Sequence, residues 1–386
     1  MTKRKICVVL TARTSYAKIK SILRSIKAHD ALDLQVVCAA SAVLERYGDT
    51  DKMVEQDGFT VNERVFMIME GETLLTSAKA TGMGIIEFSG AFNRLKPDAV
   101  LVMADRFEII SAAIAASYQN IPLIHVQGGE VSGNIDEKVR HAVTKLADVH
   151  FPATEKAAEN IIRMGEDSEK VFCSGCPSMD LAQEVLDSPD LDFDVYKKYG
   201  GVGSFPDLSD GYYMVMQHPV TTEYFDGRSQ VGATLNALNR VQKPILWFWP
   251  NVDAGGNDVS KGIRAFRENE KPQHMHFIKN MEPQDFLRVL NKSMGIIGNS
   301  SVAIREASYL GVPAVNIGSR QNARERGANV IDVDYDPEEI YQAVINHCGP
   351  KKEKLSLYGT GNAGQKIADA LAHVELSYKK TLQYVH

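Results

Sequence analysis

Short apolar segments alternate with amphipathic segments through almost the whole chain, and this alternation restricts its fold more than any other feature. Apolar runs that predict strands lie at residues 6–10, 99–104, 123–126 and 171–174, and helical patterns lie at residues 16–28, 109–118 and 302–310. Strands that alternate with helices form parallel sheets covered on both faces, because each helix returns the chain to the start of the next strand. The pattern therefore predicts an α/β protein with doubly wound, Rossmann-like sheets.

The alternation lapses once, between residues 187 and 211, where Asp, Gly, Ser and Pro are frequent. This composition is typical of a linker or of the irregular start of a new domain. A second alternation begins near residue 212, and the tail from residue 362 to 386 has a helical pattern. A chain of 386 residues is long enough for two domains. We predict a first domain over residues 1–187, a second over residues 188–365, and a C-terminal helix over residues 366–386.

The composition restricts the partners of the protein. The chain is 44% hydrophobic with a formal net charge of −6, which is ordinary for a globular protein and argues against nucleic acid or an anionic membrane as partner. No run approaches the roughly 18 apolar residues of a membrane span. The start, MTKRKICVVL, has only a short apolar run and no small-residue cleavage site, so we interpret it as the first strand.

The cysteines and the glycine motifs indicate a protein without a metal or cofactor. Five scattered cysteines suit a reducing cytoplasm, which is the compartment we expect. Cys173 and Cys176 form a lone CxxC, whereas a structural zinc site needs four ligands. The chain has no P-loop motif and no GxGxxG after the first strand, which argues against a standard NAD site.

Polar and charged side chains follow the predicted strands at the point where each strand ends. In parallel sheets the carboxyl ends lie along one edge, where open α/β proteins bind their ligands. Such residues at seven strand ends predict a ligand site. They are Arg13, Asp105, Arg106, Glu130, Asp136, His218, Asn251, Asp253, Asn299, Ser300, Ser301 and Arg320.

The segment at residues 125–148, HVQGGEVSGNIDEKVRHAVTKLAD, carries the candidates for acid–base chemistry. A strand ends in two glycines, and a polar loop with Glu130 and Asp136 precedes the next helix. These two acids and Asp105 could act together, because one of several neighbouring carboxylates can hold a proton while another accepts one. Capping of the following helix is the alternative role for Asp105 and for Asp136. His125 lies inside the strand, and we expect it to be structural or to support the site.

The segment GNSSVAIRE, residues 298–306, favours an anionic ligand. Ser300 and Ser301 can cap a helix or present hydroxyl and N–H groups to a phosphate. Glu306, about one and a half helical turns further on, could accept hydrogen bonds from ribose hydroxyls. His218 could bind a phosphate or move a proton, with a purely structural role as the alternative. Three arginines could supply charge to a diphosphate, although a surface role is open for each: Arg13, Arg106 and Arg320.

Seven motifs in this order identify a family. They are ADRFE, the 125–148 segment, GCPS, QHPVTTE, PNVDAGG, GNSSVAIRE and GSRQNARERGANV. Together they resemble the hydrolysing UDP-N-acetylglucosamine 2-epimerases, which include enzymes of the sialic-acid and legionaminic-acid pathways. The resemblance runs nearly end to end, from CVVLTARTSY to YGTGNA at residues 358–363.

The resemblance implies a GT-B fold: two Rossmann-like domains, a nucleotide-sugar cleft between them, and a C-terminal helix that returns to the first domain. It also implies a reaction without metal or NAD. A base removes the C2 proton while the nucleoside diphosphate leaves C1, and a glycal-like intermediate forms. Water then adds at C1, and C2 is protonated on the opposite face. The products are the nucleotide and free N-acetylmannosamine, or its 4-acetamido-6-deoxy analogue.

The resemblance also implies roles for individual residues. Asp105 and Asp136 match the catalytic carboxylates of the family. The uracil is met by backbone near Met281. Contacts to the nucleotide are implied for Arg13, Arg106, His218, Asn251, Ser300, Ser301, Glu306 and Arg320.

One departure from the family concerns the HxE segment, where many members have Glu two residues after the histidine and this chain has Gln127. An amide is neither an acid nor a base, so its proton transfer falls to Asp105, Asp136 or Glu130, or is dispensed with. Ala17 also replaces the serine that follows the RxxY motif of the family. Gln127 can instead hydrogen-bond a 4-acetamido group. We therefore favour nucleotides of 2,4-diacetamido-2,4,6-trideoxyglucose over UDP-N-acetylglucosamine.

Three other activities share parts of this pattern. A retaining glycosyltransferase of the same fold would release the nucleotide only when an acceptor is present. A non-hydrolysing epimerase would leave the product attached to UDP, which the GGEVSG loop and the QHPVTT motif disfavour. A nucleotide-sugar sensor would bind without turnover, which Asp105 and Asp136 disfavour. The choice between UDP and GDP stays open, and apolar helices at the domain surface predict a homodimer or homotetramer.

Overall fold

A computed structural model describes residues 3–45, 48–70, 73–131, 135–220, 223, 225–250 and 255–383, with every side chain in them except those of residues 74, 135 and 136. Two compact units make up the chain. The first contains Met1–Val131, Ile135–Leu181 and Tyr358–His386, and Ala182–Leu357 forms most of the second. The C-terminal segment is therefore part of the first unit.

The first unit is organised around a parallel sheet. Its strands, in the described residues, are β1 (Arg4–Leu10), β2 (Leu32–Ala39), β3 (Val61–Val65), β4 (Ala99–Met103), β5 (Leu123–Val126) and β6 (Val149–Phe151). Their order across the sheet is β3-β2-β1-β4-β5-β6, and every neighbouring pair is parallel. The order reverses between β1 and β4. Ligands of open α/β sheets bind at the carboxyl ends beside such a point.

The second unit has its own sheet. Its strands, in the described residues, are β7 (Val202–Gly203), β8 (Tyr213–Met216), β9 (Ile245–Phe248), β10 (Met275–Ile278), β11 (Gly295–Gly298), β12 (Ala314–Ile317) and β13 (Val330–Val333). The order is β13-β12-β11-β8-β9-β10-β7, and β7 pairs antiparallel with β10 at the edge. Here the order reverses between β8 and β11, which places the expected ligand position at the ends of these two strands.

Helices separate most of the strands. They are α1 (Arg13–Ala28), α2 (Thr50–Gln56), α3 (Leu74–Leu95), α4 (Ile109–Tyr118), α5 (Ile135–Leu146), α6 (Glu155–Arg163), α7 (Ser178–Asp187), α8 (Val195–Tyr199), α9 (Gly227–Asn239), α10 (Gly256–Glu270), α11 (Pro283–Lys292), α12 (Ser301–Ile304), α13 (Glu306–Leu310), α14 (Pro337–His347) and α15 (Ala363–His373). None of them, in the part of the chain that is described, combines the length and the apolar character needed to cross a membrane.

Burial on both faces explains the continuous apolar runs of the first sheet. On β1, Ile6, Val8 and Leu10 pack into one hydrophobic cluster, and the alternate residues Cys7 and Val9 pack into another on the opposite face. A strand buried on both faces has no polar side to alternate with, so its sequence is apolar throughout. The α/β class and the two Rossmann-like sheets predicted from the sequence are confirmed.

The C-terminal helix packs on α1 in the first unit. Gly364 lies so close that a Cβ there would meet the backbone of Ser21 at 2.7 Å. The Asp180 carboxylate accepts hydrogen bonds from the N–H groups of Ala363 and Gly364, at 2.8 and 2.7 Å, and so binds the free donors at the start of α15. The helix predicted for residues 362–386 ends at His373, and beyond it the N–H of Gln383 donates to the carbonyl of Gly165 instead of to a carbonyl of a continuing helix.

The region 187–211, predicted as a linker or as the irregular start of a new domain, lies in the second unit and contains α8 and the edge strand β7. One strand prediction is corrected. The strand predicted at residues 171–174 is reduced to a single bridge between Val171 and His150. The helices α2 and α3 and the strand β3 were not predicted. The apolar residues of the helices are spread along the segment instead of forming short runs, and β3, VNERV, has apolar residues only at its two ends.

A buried carboxylate joins the tail to the first unit. Glu166 accepts hydrogen bonds from Lys145 and Lys380, each at 2.5 Å, and from His150 Nε2 at 3.0 Å. Lys380 belongs to the tail, where Gln383 also donates its N–H to the carbonyl of Gly165 at 3.0 Å. Burial raises the pKa of Glu166, but the bonds from His150 and the two lysines lower it by more, so that the pKa is about 2.

We predict that Glu166→Gln lowers the free energy of unfolding at pH 7 by about 3 kcal/mol, because it removes the charged acceptor shared by the buried His150 and two partly exposed lysines. The pKa of Glu166 lies at about 2 in the folded protein, below its ordinary value of 4.5. Between pH 4.5 and about 2, residue 166 is therefore protonated in the unfolded chain but still ionised in the folded protein. The stabilisation is complete above pH 4.5 and is lost as the pH falls towards 2.

Urea unfolding from pH 7 to pH 3 measures this contribution. The variant should lose less stability on acidification than the wild type, because it has no carboxylate to protonate at this position. Glu169→Gln, at an exposed position nearby, is the matched control and should follow the wild type. Equal effects of the two substitutions would contradict the assignment.

Candidate active site

The turn after β4, which presents Asp105, is strained at the preceding residue, Ala104. Ala104 has a φ of +64°, which non-glycine residues rarely adopt. Its N–H donates to the carbonyl of Val126, and its carbonyl accepts a hydrogen bond from His125 Nε2 at 2.9 Å. A turn of this kind persists only where its surroundings hold it, and such turns concentrate at functional sites.

His125 holds that turn as a neutral side chain. Because Nε2 donates to the carbonyl of Ala104, Nδ1 is the acceptor, and it lies 3.1 Å from the hydroxyl of Thr144. Burial lowers the pKa of His125 to about 3. The imidazole therefore stays uncharged at neutral pH, and it supports the turn before Asp105 as the sequence analysis expected.

Arg140 links the carboxylate of Asp105 to the backbone of Glu130. Its Nε lies 3.0 Å from Asp105 Oδ2, a second bond joins Nη2 to the same oxygen, and its Nη1 donates to the carbonyl of Glu130 at 2.6 Å. The Arg140 side chain is only 1% exposed, whereas Asp105 is 20% exposed. A buried, planar guanidinium thus fixes the Asp105 carboxylate from the inner side and leaves it accessible from the other.

The capping roles considered for the acids do not apply. The helix after β4 begins at Ile109, so Asp105 lies too far upstream to cap it. The next helix, α5, already begins at Ile135, so Asp136 lies inside its first turn. The side chain of Asp136 lies outside the described residues. Glu130 is buried, and its backbone carbonyl is the group held by Arg140.

Gln127 follows β5 in a second strained turn, with a φ of +64°. Its N–H donates to the carbonyl of Phe151 at 2.9 Å, and its Nε2 donates to Cys176 Sγ at 2.8 Å. Cys176 Sγ in turn lies 2.8 Å from the hydroxyl of Ser178. Gln127 is therefore buried, with 1% exposure, and is bonded to Cys176 of the GCPS motif. It follows β5, which pairs with β4, the strand that precedes Asp105.

The two arginines predicted for the first unit have different surroundings. Arg106 forms a two-point ion pair with the buried carboxylate of Glu108, with N···O distances of 3.0 and 3.2 Å. Arg13 is the first residue of α1 and lies at the carboxyl end of β1. It passes close to Gly48, where a Cβ would approach its guanidinium to 2.9 Å. Arg13 and Asp105 thus follow the two strands at which the order of the sheet reverses.

In the second unit, His218 and Asn299 meet where β8 and β11 end. The N–H of His218 donates to Asn299 Oδ1 at 2.7 Å, and Asn299 Nδ2 donates to the carbonyl of His218 at 2.8 Å. The carbonyl of Asn299 accepts hydrogen bonds from Arg320 Nη1 at 3.1 Å and from Gln321 Nε2 at 2.9 Å. Asn299 therefore brings two predicted ligand residues, His218 and Arg320, to one place.

The helix predicted at residues 302–310 is two short helices. Ser300 caps α12, with its hydroxyl 3.4 Å from the N–H of Val302, and Ser301 is the first residue. The helix stops at Arg305, whose ψ of −73° departs from helical geometry. Glu306 therefore starts α13 instead of lying inside a continuous helix. It is 4% exposed, and its Oε2 has no hydrogen-bond partner among the described residues.

Met281 and Asn251 are the last two residues for which the sequence predicted a contact with the nucleotide. Met281 is buried after β10, and its N–H donates to Asn280 Oδ1 at 2.8 Å. Asn251 lies outside the described residues, as does Asp253.

No group of three or more His, Cys, Asp or Glu side chains in the described part of the chain is arranged to hold a metal ion. Burial raises the pKa of Cys173 to about 11, so its thiol is not a reactive thiolate at neutral pH.

Arg140 and Gln321 are site residues that the sequence reasoning missed, and Asn299 was noted only as a strand end. Arg140 follows Asp136 by four residues and so lies on the same face of α5. This spacing was the available signal for Arg140. Gln321 directly follows Arg320, but nothing in the sequence shows that its side chain reaches the carbonyl of Asn299.

Comparison with known proteins identifies the family. Residues 24–372 match the family described as UDP-N-acetylglucosamine 2-epimerase, and the chain belongs to it. The chain is 32% identical over 374 residues to the UDP-N,N'-diacetylbacillosamine 2-epimerase (hydrolyzing) of Legionella pneumophila, with 97% of each chain covered. It is 28% identical to the UDP-N-acetylglucosamine 2-epimerase of Neisseria meningitidis serogroup B, covering 90% of this chain and 88% of that protein.

Solved structures agree on the fold. The UDP-GlcNAc 2-epimerase of Neisseria meningitidis, bound to UDP-GlcNAc, has a TM-score of 0.79 at 20% identity and covers 95% of this chain and 99% of its own. The enzyme of Methanocaldococcus jannaschii has a TM-score of 0.80 at 20% identity and covers 96% and 100%. The predicted GT-B fold and the predicted family are confirmed, and the chain is a nucleotide-sugar 2-epimerase of this family.

We predict that Arg140→Lys separates the two groups that Arg140 holds. A lysine carries one point charge and cannot bond Asp105 and the carbonyl of Glu130 in the same plane. The free energy of unfolding should fall by about 2 kcal/mol. Nucleotide release from the nucleotide sugar should slow by about 10²-fold, because the Asp105 carboxylate is displaced.

Chemical unfolding and a nucleotide-release assay measure the two effects. Arg163→Lys, at an exposed position on α6, is the matched control and should leave both quantities unchanged. Wild-type turnover in Arg140→Lys would show that the orientation of Asp105 does not matter for the reaction.

Proposed function

We propose that the chain is a hydrolysing nucleotide-sugar 2-epimerase that releases free 2,4-diacetamido-2,4,6-trideoxymannose and UDP. Support comes from the relative in Legionella pneumophila, named as a hydrolyzing UDP-N,N'-diacetylbacillosamine 2-epimerase, at 32% identity. A GDP/UDP-N,N'-diacetylbacillosamine 2-epimerase (hydrolyzing) of Campylobacter jejuni is 27% identical over 336 residues. Release of a free sugar distinguishes this activity from epimerisation of a sugar that stays bound to UDP.

The observation that carries the proposal is the Asp105 carboxylate, held by the buried Arg140 at the carboxyl end of β4. In our mechanism Asp105 removes the proton from C2 of the sugar. The C1–O bond breaks at the same time, and its electron pair leaves with the nucleoside diphosphate. The glycal-like intermediate has a C1–C2 double bond. Water then adds its hydroxyl group at C1, and the protonated carboxyl group of Asp136 or Glu130 delivers its proton to C2 from the opposite face. The proton that the water loses restores this carboxyl group, and Asp105 releases the original C2 proton to solvent. The net change is hydrolysis with inversion at C2.

The residues of the second unit bind the nucleotide in this proposal. Ser300, Ser301 and Arg320 contact the diphosphate, and His218 hydrogen-bonds it or protonates it as it leaves. Glu306 accepts hydrogen bonds from the ribose hydroxyls, a role for which its unpartnered buried Oε2 is suited. The remaining nucleotide contacts are assigned to Arg13, Arg106, Asn251 and the backbone near Met281.

Gln127 is the basis for the choice of sugar. An amide at this position donates and accepts hydrogen bonds but transfers no proton at neutral pH. The 4-acetamido group, which N-acetylglucosamine lacks, has the same pair of hydrogen-bonding groups and so is matched by an amide. We therefore assign Gln127 to recognition of the 4-acetamido group, and the proton transfers to the carboxylates.

Proton NMR of the reaction in D₂O tests the proposal. With UDP-linked 2,4-diacetamido-2,4,6-trideoxyglucose, we expect free UDP and free manno sugar with deuterium at C2, formed faster than products from UDP-N-acetylglucosamine. Parallel reactions with the GDP-linked sugars report the base. Equal or faster turnover of UDP-N-acetylglucosamine would overturn the assigned sugar.

Other products would overturn the assigned reaction. A manno sugar still attached to UDP would identify a non-hydrolysing epimerase, and nucleotide release that requires an added acceptor would identify a glycosyltransferase. Asp105→Asn is the control for the mechanism. It should slow turnover by at least about 10²-fold while UDP binding is retained, because an amide cannot take the C2 proton. Wild-type turnover in this variant would remove Asp105 from the chemistry.

We predict that Gln127→Glu shifts the preference towards UDP-N-acetylglucosamine. The ratio of kcat/KM for UDP-N-acetylglucosamine to that for the 4-acetamido substrate should rise by about 10-fold or more. One N–H of Gln127 donates to Cys176, and the carboxylate lacks the second N–H that would donate to the acetamido carbonyl. Competition between the two substrates in one tube measures this ratio directly. Gln56→Glu adds the same charge at an exposed position of the first unit and should leave the ratio unchanged. An unchanged ratio in Gln127→Glu would contradict the assigned contact.

A further inference from the structure

The ends of β8 and β11 approach each other unusually closely. The last pair in register is Gly298 with Met216. Gly298 has a φ of +125°, and a Cβ there would lie 2.1 Å from the carbonyl oxygen of Met216. Only glycine permits this approach, so the two strands are still in backbone contact at the point where β11 turns away towards Ser300.

The side chain of Asn299 continues the sheet beyond that point. Its backbone N–H donates to the carbonyl of Met216 at 3.0 Å, as the next step of the ladder. Its carboxamide then bonds both backbone groups of His218, accepting from the N–H at 2.7 Å and donating to the carbonyl at 2.8 Å. A carboxamide has the same acceptor and donor as a peptide group, so it pairs with His218 as a neighbouring strand would.

This arrangement requires asparagine. Aspartate has no N–H to donate to the carbonyl of His218, and alanine has neither group. Asn299 is fully buried, so water does not replace a lost bond without a rearrangement. The carbonyl of Asn299 is itself held by Arg320 and Gln321, which keeps the carboxamide in place from the other side.

We propose that Asn299 is a positioning residue for His218 in the reaction. With its N–H and carbonyl bound, and with Pro219 restricting the following backbone, the Cα–Cβ bond of His218 points in a fixed direction. The imidazole keeps only its side-chain rotations. Asn299 reaches the substrate through His218, and a displacement of about 1 Å at a reacting group costs on the order of 10²-fold in rate. This inference rests on the role of His218 in the proposed function.

A double-mutant cycle tests the inference on the full-length enzyme. We expect Asn299→Ala to lower kcat/KM for the nucleotide sugar by about 10²-fold. The double variant Asn299→Ala/His218→Ala should be no slower than His218→Ala alone, because Asn299 then has no side chain to position. Asn299→Asp keeps the acceptor for the N–H of His218 and should be intermediate. This variant serves as the test if Asn299→Ala does not fold.

Asn329→Ala is the matched control. Asn329 is also a fully buried amide of the second unit, and it donates to the carbonyl of Val312 at 3.0 Å and accepts from Ser308. Asn329 precedes β13 and so lies at the amino ends of the strands, whereas His218 lies at their carboxyl ends. Thermal unfolding should show similar losses of stability for Asn299→Ala and Asn329→Ala, while only Asn299→Ala loses kcat/KM.

The outcomes separate the two proposals. If His218→Ala is impaired but the losses multiply in the double variant, Asn299 does not act through His218 and the inference fails alone. If His218→Ala turns over like the wild type, the role of His218 in the proposed function fails, and the inference fails with it. Equal loss of kcat/KM in Asn299→Ala and Asn329→Ala would reduce Asn299 to a purely structural residue.

Discussion

The parallel pairing of the central strands is the constraint on which the rest of the structure depends. Parallel strands need covered faces and crossover helices, so the chain must alternate between apolar strands and amphipathic helices. They also bring all carboxyl ends to one edge of the sheet. Where the strand order reverses, the connecting segments leave in opposite directions and the edge is open for a ligand. In the first unit this point lies between β1 and β4, and in the second between β8 and β11.

Buried polar groups keep those open edges in shape. Backbone that leaves a sheet loses its ladder partners, and buried polar groups without partners are costly. Here side chains provide the partners: His125 bonds the carbonyl of Ala104, Arg140 bonds that of Glu130, and Asn299 bonds both groups of His218. The same bonds that satisfy the backbone therefore set the positions of the candidate catalytic residues. Stability and preorganisation come from one set of contacts at this edge.

The sequence was sufficient for the fold class and for the strand ends, because both follow from local patterns. The apolar run before Asp105 and the run before His218 are short, continuous and followed by polar residues. Arg140 and Asn299 could not be assigned in the same way, since their partners lie 35 and 81 residues away along the chain. The helical pattern of residues 302–310 corresponds to helical structure, but the pattern does not show that the helix is interrupted at Arg305. The end of the last helix at His373 could not be predicted either, since beyond it the backbone of Gln383 bonds Gly165, which lies in a distant part of the chain.

The pairing of Gln127 with Cys176 explains how the chain accommodates an amide where the family resemblance implies a carboxylate. A thiol is a weak donor and a weak acceptor, so it can donate to a glutamate or accept from a glutamine. Here Gln127 Nε2 donates to Cys176 Sγ, and the sulfur contacts the hydroxyl of Ser178. Exchange of the carboxylate for the amide thus removes an ionisable group without leaving a buried partner unsatisfied. In the proposed mechanism the proton transfers then depend on other carboxylates, and Arg140 holds one of them, Asp105, in place.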